Sequence, residues 1–537
     1  MTRSKNILLA IGAVLLTVLI YYPFIFSAGI TNPDAQIILP VLDSYRSLSQ
    51  YFNDLFTFRT YDFQPVRDLS LLFDLKMYHL TGLNLTGTQN VLIWLAIVYQ
   101  VRKIGFRYTT PGNQLDLNLL CLGFLVYPLF SQTVVWGIAR KHLLSALFIL
   151  LATSFKLTSP RPDWKKSSLI NLFYTLSILS LPITILWPLW CASHEWLKEK
   201  KSITDSFLSH WGKLLILGLV GSINFLYYRF SPTFLSTFPA KIDNSEVFAD
   251  KLLAVGHYAS QIIFPHRLAL SYTLGDPSVF LGLIITVIFI FYLYKKKSRE
   301  ELHWIVFALL PLCVVLVKST IIYDTYLLVP VCGFFLYLCT QVQMPFKNYS
   351  RAALMGLVLV FSLLSHQNVL GWVSDVELAR RSFENRKTCT GAIVFLRLNY
   401  SKGKLLSTNL ARRYLLDHEC LDSSVPPKVR MNIESNMMYY EDDIPHSLKL
   451  EKLKKFSEID FYSSMVRTAY LIKSGHASEA EEALNDLVTR WGNISFRREQ
   501  IKLVSDVIYP FCRTQAHESC LVFLRKFATK GPEIFYR

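Results

Sequence analysis

Six carboxylates are concentrated in one stretch, residues 28–83, directly after the first apolar segment of the chain. They are Asp34, Asp43, Asp54, Asp62, Asp68 and Asp74. Asp34 stands apart because only about eight residues separate it from the apolar run that ends at Phe26, which puts it at a membrane interface. A carboxylate at that depth can act as a general base on an acceptor beside a lipid-borne substrate. The other interpretation is a solvated loop with helix caps, which fits most of the six.

Two adjacent cations, Arg140 and Lys141, follow the third apolar segment and are predicted to lie in a very short outer turn. A cation at the edge of a membrane usually has an anionic partner, and a lipid phosphate is one candidate. The alternative is that both side chains simply snorkel to the head groups.

The elements that must position these residues are apolar segments of membrane-spanning length. Ile7 to Phe26 is a run of 20 uncharged residues, which is enough to cross a hydrocarbon core of about 30 Å. Ten further apolar segments lie near 84–101, 114–131, 143–155, 168–181, 183–197, 214–228, 278–294, 304–317, 326–341 and 352–369. The pattern predicts an all-α polytopic membrane domain over residues 1–370 with about eleven transmembrane helices.

The distribution of basic residues predicts the orientation of these spans. With the N-terminus in the cytoplasm, the inner loops hold 19 Lys/Arg in 65 residues, and the outer segments hold 11 in 125. Such a bias is what the positive-inside rule describes. The longest outer loops are then about 28–83 and 229–278, and an odd number of spans puts residues 371–537 outside. We therefore expect an integral multi-pass membrane protein with a cytoplasmic N-terminus.

Residues 371–537 are predicted to form a separate extracytoplasmic α-helical domain. Phe461 to Thr489 has the periodicity of a helix pair around Gly475, similar to one degenerate tetratricopeptide-type (TPR-like) hairpin. Since no second clean copy is present, a generic helical domain is an equally good interpretation. The four cysteines of this domain favour disulfides in an oxidising compartment, and we predict the pairs Cys389–Cys420 and Cys512–Cys520, although four cysteines allow three connectivities.

Composition excludes several classes of function. Hydrophobic residues make up 52% of the chain and charged residues 18%, which argues against a disordered or purely soluble protein. The net charge of +17 belongs mostly to the apolar half, so it is explained by basic inner loops and not by nucleic acid. We find no His/Cys spacing typical of a metal site and no Gly-rich phosphate loop.

The order of several short motifs resembles that of the C-superfamily (GT-C) glycosyltransferases, specifically the transmembrane and tetratricopeptide-repeat O-mannosyltransferase family. The resemblance covers about residues 1–400. It is carried by Asn32-Pro33-Asp34-Ala35, Phe63-Gln64-Pro65-Val66-Arg67-Asp68, Tyr127-Pro128, Gln132, Val134, Arg140-Lys141, Tyr326, Pro330, Trp372 and Asp375. Several positions depart from the family pattern: histidines and a glutamate of the family are Tyr127, Phe130 and Gln132 here, and a Lys-Glu pair is Leu181-Pro182.

The resemblance implies a membrane glycosyltransferase that moves a sugar from a polyprenyl-phosphate donor to a protein or envelope-glycan acceptor on the outer face. It implies Asp34 as the catalytic base, with Asp68 as a secondary candidate, and Arg67, Arg140 and Lys141 as ligands of the donor phosphate. No cofactor is implied beyond the lipid-linked sugar, and the outer helical domain would bind the acceptor. The expected location is a bacterial inner membrane with the C-terminal domain in the periplasm. The departures keep a second interpretation open: a catalytically inactive membrane protein of the same fold that acts as an assembly or binding scaffold.

Overall fold

The computed structural model divides the chain into two compact units, Met1–Leu378 and Ala379–Arg537, close to the boundary expected at residue 370. Within the residues that the structure describes, every regular element is a helix. These residues are 3–25, 42–45, 47–57, 60, 63–110, 113–158, 163–208, 210–230, 244–263, 265, 277–295, 301–318, 324–341, 348–372, 380, 383, 392, 396, 411, 427–440, 444–459, 461–491, 507–514, 520, 522 and 523.

A helix lies on each of the eleven apolar segments of the first unit, and further helices lie between them. In chain order the helices of this unit are α1 (Arg3–Ile25), α2 (Leu48–Phe56), α3 (Pro65–Thr81), α4 (Thr86–Gly105), α5 (Gln114–Leu125), α6 (Leu129–Val135), α7 (Arg140–Thr158), α8 (Trp164–Ser180), α9 (Trp187–Leu197), α10 (Ile203–Leu208), α11 (Trp211–Phe230), α12 (Asn244–Ile263), α13 (Pro277–Lys295), α14 (Leu302–Lys318), α15 (Leu328–Gln341) and α16 (Asn348–Trp372).

Two of the described helices are long and apolar enough to cross a membrane. They are α16 and α7, the latter together with the short 3-10 turn Gly137–Ala139 that runs into it. The pair α5 and α6 passes the same test but is bent by 60° at its break, so the third predicted span is a broken or re-entrant one. Pro128 stands at this break and cannot donate the helical hydrogen bond there.

Large apolar side chains are exposed along whole faces of α1, α13 and α16. Soluble proteins rarely leave contiguous apolar surfaces of this kind uncovered, and they are typical of faces that meet lipid. The residues include Ile11, Leu15 and Leu19 on α1, Ile284, Val287 and Phe291 on α13, and Leu359 and Leu363 on α16. These faces are compatible with a membrane protein.

Helix α3 forms the last part of the acidic outer segment and carries two of its carboxylates, Asp68 and Asp74. The helix starts at Pro65, where the missing N–H costs nothing, and ends at Gly82, which adopts a φ of 72° that favours glycine. Because residues three, four and seven apart share one face of a helix, Arg67, Ser70 and Asp74 point in the same direction. Arg67 and Asp74 are buried, so this polar face is turned into the protein.

Helix α7 is the element against which the polar face of α3 packs. It also packs along α4 and α8, and its side chains Leu143, Ala146 and Leu150 are fully buried. The sequence predicted a turn at Arg140 and Lys141, and the turn was wrong: the 3-10 turn ends at Ala139, and both residues lie in the first turn of α7. That they lie on the outer side stays a prediction.

The second unit contains the helices α17 (Pro427–Tyr440), α18 (His446–Ser457), α19 (Phe461–Lys473), α20 (Ala477–Trp491) and α21 (Tyr509–Thr514). The helix pair predicted around Gly475 is α19 and α20. Gly475 has a φ of 81°, a left-handed conformation that ends α19 and reverses the chain. Val466, Leu471, Leu484 and other apolar side chains of the pair are buried between helices of this unit.

The cysteines of this unit are described only in part. Cys512 and Cys520 are buried, and each is a free thiol in the structure, although the two side chains are close enough to share a hydrogen bond. Burial raises the pKa of both thiols above the ordinary value. Cys389 and Cys420 lie outside the described residues, so the two disulfides stay predictions.

Candidate functional site

The carboxylates of the outer segment have different environments. Asp34, the predicted base, lies outside the described residues. Asp43 is exposed and pairs with His79 at 2.6 Å between Oδ1 and Nε2. Asp68 and Asp74 are buried with accessibilities of 2% and 4%, although both belong to a segment that the sequence assigns to the outer surface. A carboxylate that is withdrawn from water must be paired, so these two residues define a polar site.

Asp68 pairs with its neighbour Arg67. The Arg67 guanidinium contacts Asp68 Oδ1 with Nη2 at 2.6 Å and with Nε at 2.8 Å, and its Nη1 donates to Gln64 Oε1 at 2.8 Å. The Tyr51 hydroxyl on α2 donates to the other carboxylate oxygen at 3.1 Å. This pair therefore ties the amphipathic helix α2 to the first turn of α3.

Asp74 pairs with Arg140, so the second pair joins α3 to α7. The distance from Arg140 Nη2 to Asp74 Oδ2 is 2.6 Å. Arg140 Nε donates to Asn90 Oδ1 at 2.7 Å, and Nη1 donates to Ser70 Oγ at 2.8 Å. Nη2 also donates to the carbonyl oxygen of Thr86 at 3.2 Å, and the Thr86 hydroxyl donates to Asp74 Oδ2. We call Asp74, Arg140, Asn90, Ser70 and Thr86 the outer cluster.

All three nitrogens of the Arg140 guanidinium are thus occupied by groups of the protein, and its side chain has an accessibility of 0%. A donor phosphate would have to replace the Asp74 carboxylate in order to bind Arg140 directly. Arg67 is enclosed in the same way by Asp68 and Gln64. Lys141, the third cation implied by the family resemblance, is half-buried beside Arg140.

A second group of charges lies at the other end of α7, which we call the inner cluster: Lys156, Glu195, Lys201 and His210. Lys156 Nζ contacts Glu195 Oε1 at 2.5 Å, Lys201 Nζ contacts Glu195 Oε2 at 3.1 Å, and His210 Nε2 is 3.2 Å from Oε1. Burial lowers the pKa of His210, and the hydrogen bond to Glu195 opposes this shift without cancelling it.

The sequence alone did not reveal either pairing. Asp74 was one of six similar aspartates, and Lys156 was one of many basic residues at a predicted inner boundary. Glu195 carried the clearest signal, because an ionisable residue inside an apolar segment is rare and requires a partner. Which cation serves as that partner depends on how the helices pack, and the spacing within one segment does not encode it.

Neutral polar side chains are also buried in the first unit, and the family resemblance had noted only one of them, Gln132, as a departure. Gln132 and Thr133 lie on α6 and His142 lies on α7, and all three are almost fully buried. Among the described residues, neither polar atom of the Gln132 amide, nor Thr133 Oγ1, nor His142 Nδ1 has a hydrogen-bond partner. No group of three or more His, Cys, Asp or Glu in the described part of the chain is arranged to hold a metal ion.

No protein-family model, no curated protein and no solved structure matches this chain.

Proposed function

We propose that the chain is an integral membrane glycosyltransferase. It moves a sugar from a polyprenyl-phosphate donor to a protein or envelope-glycan acceptor on the outer face of the membrane. The observation that supports this most is the outer cluster together with the Arg67–Asp68 pair. The Arg67–Asp68 pair joins α2 to α3, and the outer cluster joins α3 to α4 and α7, at the end of α7 that the basic loops assign to the outer face.

The proposal includes the topology of the eleven predicted spans, a cytoplasmic N-terminus and a periplasmic C-terminal unit with a TPR-like helix pair. It rests on the bias of basic residues toward one set of loops. Reporter fusions after Lys200 and at the C-terminus test it, and we expect a cytoplasmic and an external signal respectively. A cytoplasmic signal from the C-terminal fusion would contradict the topology and the outer-face reaction with it.

In the proposed reaction Asp34 accepts the proton of the acceptor hydroxyl. The acceptor oxygen forms a bond to the anomeric carbon, and the bond from that carbon to the phosphate oxygen breaks with inversion. The electron pair leaves with the polyprenyl phosphate, and nearby cations stabilise the charge that develops there. Arg140 with Asp74 holds α3 and α7 in register, and Arg67 with Asp68 holds α2 against α3. Lys141, which is half-buried at the start of α7, is the candidate for direct contact with the phosphate.

Substitution of Asp34 by asparagine tests the catalytic assignment. Asp34→Asn keeps the shape of the side chain but removes the base, so transfer should fall by at least ~10²-fold. Asp43→Asn is the matched control, because it makes the same change on the exposed carboxylate paired with His79 and should leave transfer unchanged. Full transfer by Asp34→Asn would show that Asp34 is not the base. Asp68 would then be the next candidate to test, or the chain is not a catalyst of this kind.

A second candidate function is that of an assembly scaffold without catalysis. It is favoured by the internal neutralisation of both arginines and by Gln132, which stands where the resembling family has a glutamate. The two functions differ in one experiment: a scaffold should restore the phenotype of a deletion strain equally well with Asp34→Asn and with the unchanged chain.

A further inference from the structure

Four buried polar side chains without a net charge lie on helices that pack at or near the bent helix α6, and none of them belongs to the outer cluster: Gln132, Thr133, His142 and Gln261. We call them the neutral cluster. Each is at most 2% exposed. Within the part of the chain that the structure describes, both polar atoms of Gln132, Thr133 Oγ1, His142 Nδ1 and Gln261 Oε1 have no hydrogen-bond partner.

The elements that carry the neutral cluster converge on the short 3-10 helix Asp324–Leu327. Helices α6 and α12 both pack against this turn. The His142 ring packs edge-on against the Tyr326 ring of the same turn, with 5.1 Å between ring centroids. The Tyr127 hydroxyl, just before α6, donates to the carbonyl of Ile262, which brings the end of α12 that bears Gln261 to the start of α6.

The outer and neutral clusters lie on different sides of α7. Residues two apart on a helix do not face each other, so Arg140 is directed toward α3 and α4, and His142 is directed toward the 3-10 turn. Asp74, the carboxylate that pairs with Arg140, therefore does not reach the polar atoms of the neutral cluster. A native interior normally pairs nearly all buried polar groups, so four such side chains in one region need an explanation.

The chemistry of the four side chains selects the ligand. An amide offers two donors and an acceptor, a hydroxyl offers both, and an imidazole nitrogen serves as either. A sugar hydroxyl likewise donates and accepts. An ion would be disfavoured, since the four side chains carry no opposing charge, and a hydrocarbon chain would leave every polar group unpaired. We propose that the neutral cluster binds the hydroxyl groups of a sugar, which on the proposed function is the hexosyl group of the donor lipid.

Binding measurements with two soluble short-chain lipids test this on the purified full-length chain. The probes are citronellyl phosphate and the same molecule carrying a phosphate-linked hexose, with mannose and glucose tried separately. We expect at least one hexosyl lipid to bind about 10-fold more tightly than the bare phosphate, the size of effect that one or two buried hydrogen bonds produce. Gln132→Leu should abolish this difference and leave the affinity for citronellyl phosphate unchanged.

Gln100→Leu is the matched control, because Gln100 is a buried glutamine of α4 whose Oε1 is also unpartnered among the described residues. It should keep the full difference between the two probes. If Gln132→Leu fails to fold, the nearly isosteric Thr133→Val, which removes only a hydroxyl, should still reduce the preference for the hexosyl lipid.

Equal affinity of the unchanged chain for both probes, or no binding of either, would overturn the inference and assign the neutral cluster to buried water. The inference would also be overturned if Gln100→Leu removed the preference for the hexosyl lipid as fully as Gln132→Leu does. Binding is measured without turnover, so the result is separate from that of the proposed function. If the chain prefers the hexosyl lipid but transfers no sugar, the sugar site stands and the scaffold function is favoured. If the chain transfers sugar but shows no preference, the sugar site is wrong and the proposed transferase function stands.

Discussion

The two ends of α7 carry buried ion pairs of opposite design. At its start, Arg140 and Asp74 are almost completely buried. Neutral side chains and a backbone carbonyl accept the remaining hydrogen bonds of the Arg140 guanidinium, whereas Asp74 Oδ1 has no partner among the described residues. At its end, about 24 Å away for a rise of 1.5 Å per residue, Lys156 and Glu195 are joined by Lys201, whose side chain is 42% exposed. The outer cluster is closed to water, and the inner cluster reaches it.

The difference shows what each cluster contributes. A charge pair that is closed to water gains strength from the low dielectric but leaves a costly unpaired charge when either partner is lost. A pair at the edge of the solvent is weaker and more tolerant, since a lysine can extend its long side chain into water. The outer cluster therefore fixes the positions of α3, α4 and α7 relative to one another, and the inner cluster holds the opposite end of α7 less tightly.

Truncation of Arg140 is expected to have the largest effect. Arg140→Ala leaves Asp74 buried without a cation and should destabilise the first unit by about 3–5 kcal/mol, the usual result of removing one partner of a buried pair. Thermal unfolding in detergent measures the loss. The double variant Arg140→Ala with Asp74→Asn should recover part of it, and a single variant as stable as the unchanged chain would show that the outer cluster is not closed.

Neutralisation of Glu195 should cost less. Glu195→Gln removes the carboxylate that Lys156 and Lys201 share. Lys201 is 42% exposed and can turn toward water, and the glutamine amide oxygen can still accept a hydrogen bond from the buried Lys156, so we expect about 1–3 kcal/mol. The matched change in the outer cluster is Asp74→Asn. It should cost more, because the buried Arg140 cannot turn toward water. If the two substitutions lower the unfolding temperature equally, the contrast between closed and open ends is wrong.

The inner cluster should also respond to pH. Burial holds the pKa of folded His210 below the unfolded value of about 6.5. Above that pH the imidazole is neutral in both states and contributes nothing. As the pH falls below it, the unfolded chain binds the proton first, so stability decreases progressively until the folded pKa is passed. Glu195 and Lys213, which both contact the His210 ring, act on this titration in opposite directions.

Thermal unfolding at pH 7.5 and pH 5 measures this contribution. His210→Gln should reduce the loss of stability on acidification relative to the unchanged chain. The same loss in both proteins would assign the acid sensitivity to other groups.

The smallest effect is expected at the exposed pair of Asp43 and His79, which serves as the baseline. Exposed ion pairs contribute about 0–1 kcal/mol because water and salt screen them. Asp43→Asn should therefore shift the unfolding temperature by little, and less at high salt than at low salt. A loss comparable to that of Asp74→Asn would mean that charge in the outer segment acts collectively and not through the closed pair.

The helices of the fold were largely predictable, and their partners were not. Apolar runs and their boundaries predicted a helix on each of the eleven segments, and Gly475 marked the turn between α19 and α20, because these features are local. The bend at Pro128 and the continuation of the 3-10 turn into Arg140 depend on packing against neighbouring helices. The Asp74–Arg140 and Lys156–Glu195 pairs join residues far apart in sequence, and the unpaired polar atoms of the neutral cluster are defined only by what surrounds them.

Turnover of a lipid-linked sugar by the purified full-length chain tests the account most directly. The chain is incubated in detergent with radiolabelled polyprenyl-phosphate hexoses, with and without an envelope-glycan or protein acceptor, beside the Asp34→Asn variant. We predict release of polyprenyl phosphate with the label on the acceptor or as free sugar, and at least ~10²-fold less with Asp34→Asn. No turnover of any of these donors by folded, correctly oriented protein, with the deletion phenotype still restored, would contradict catalysis and leave the scaffold.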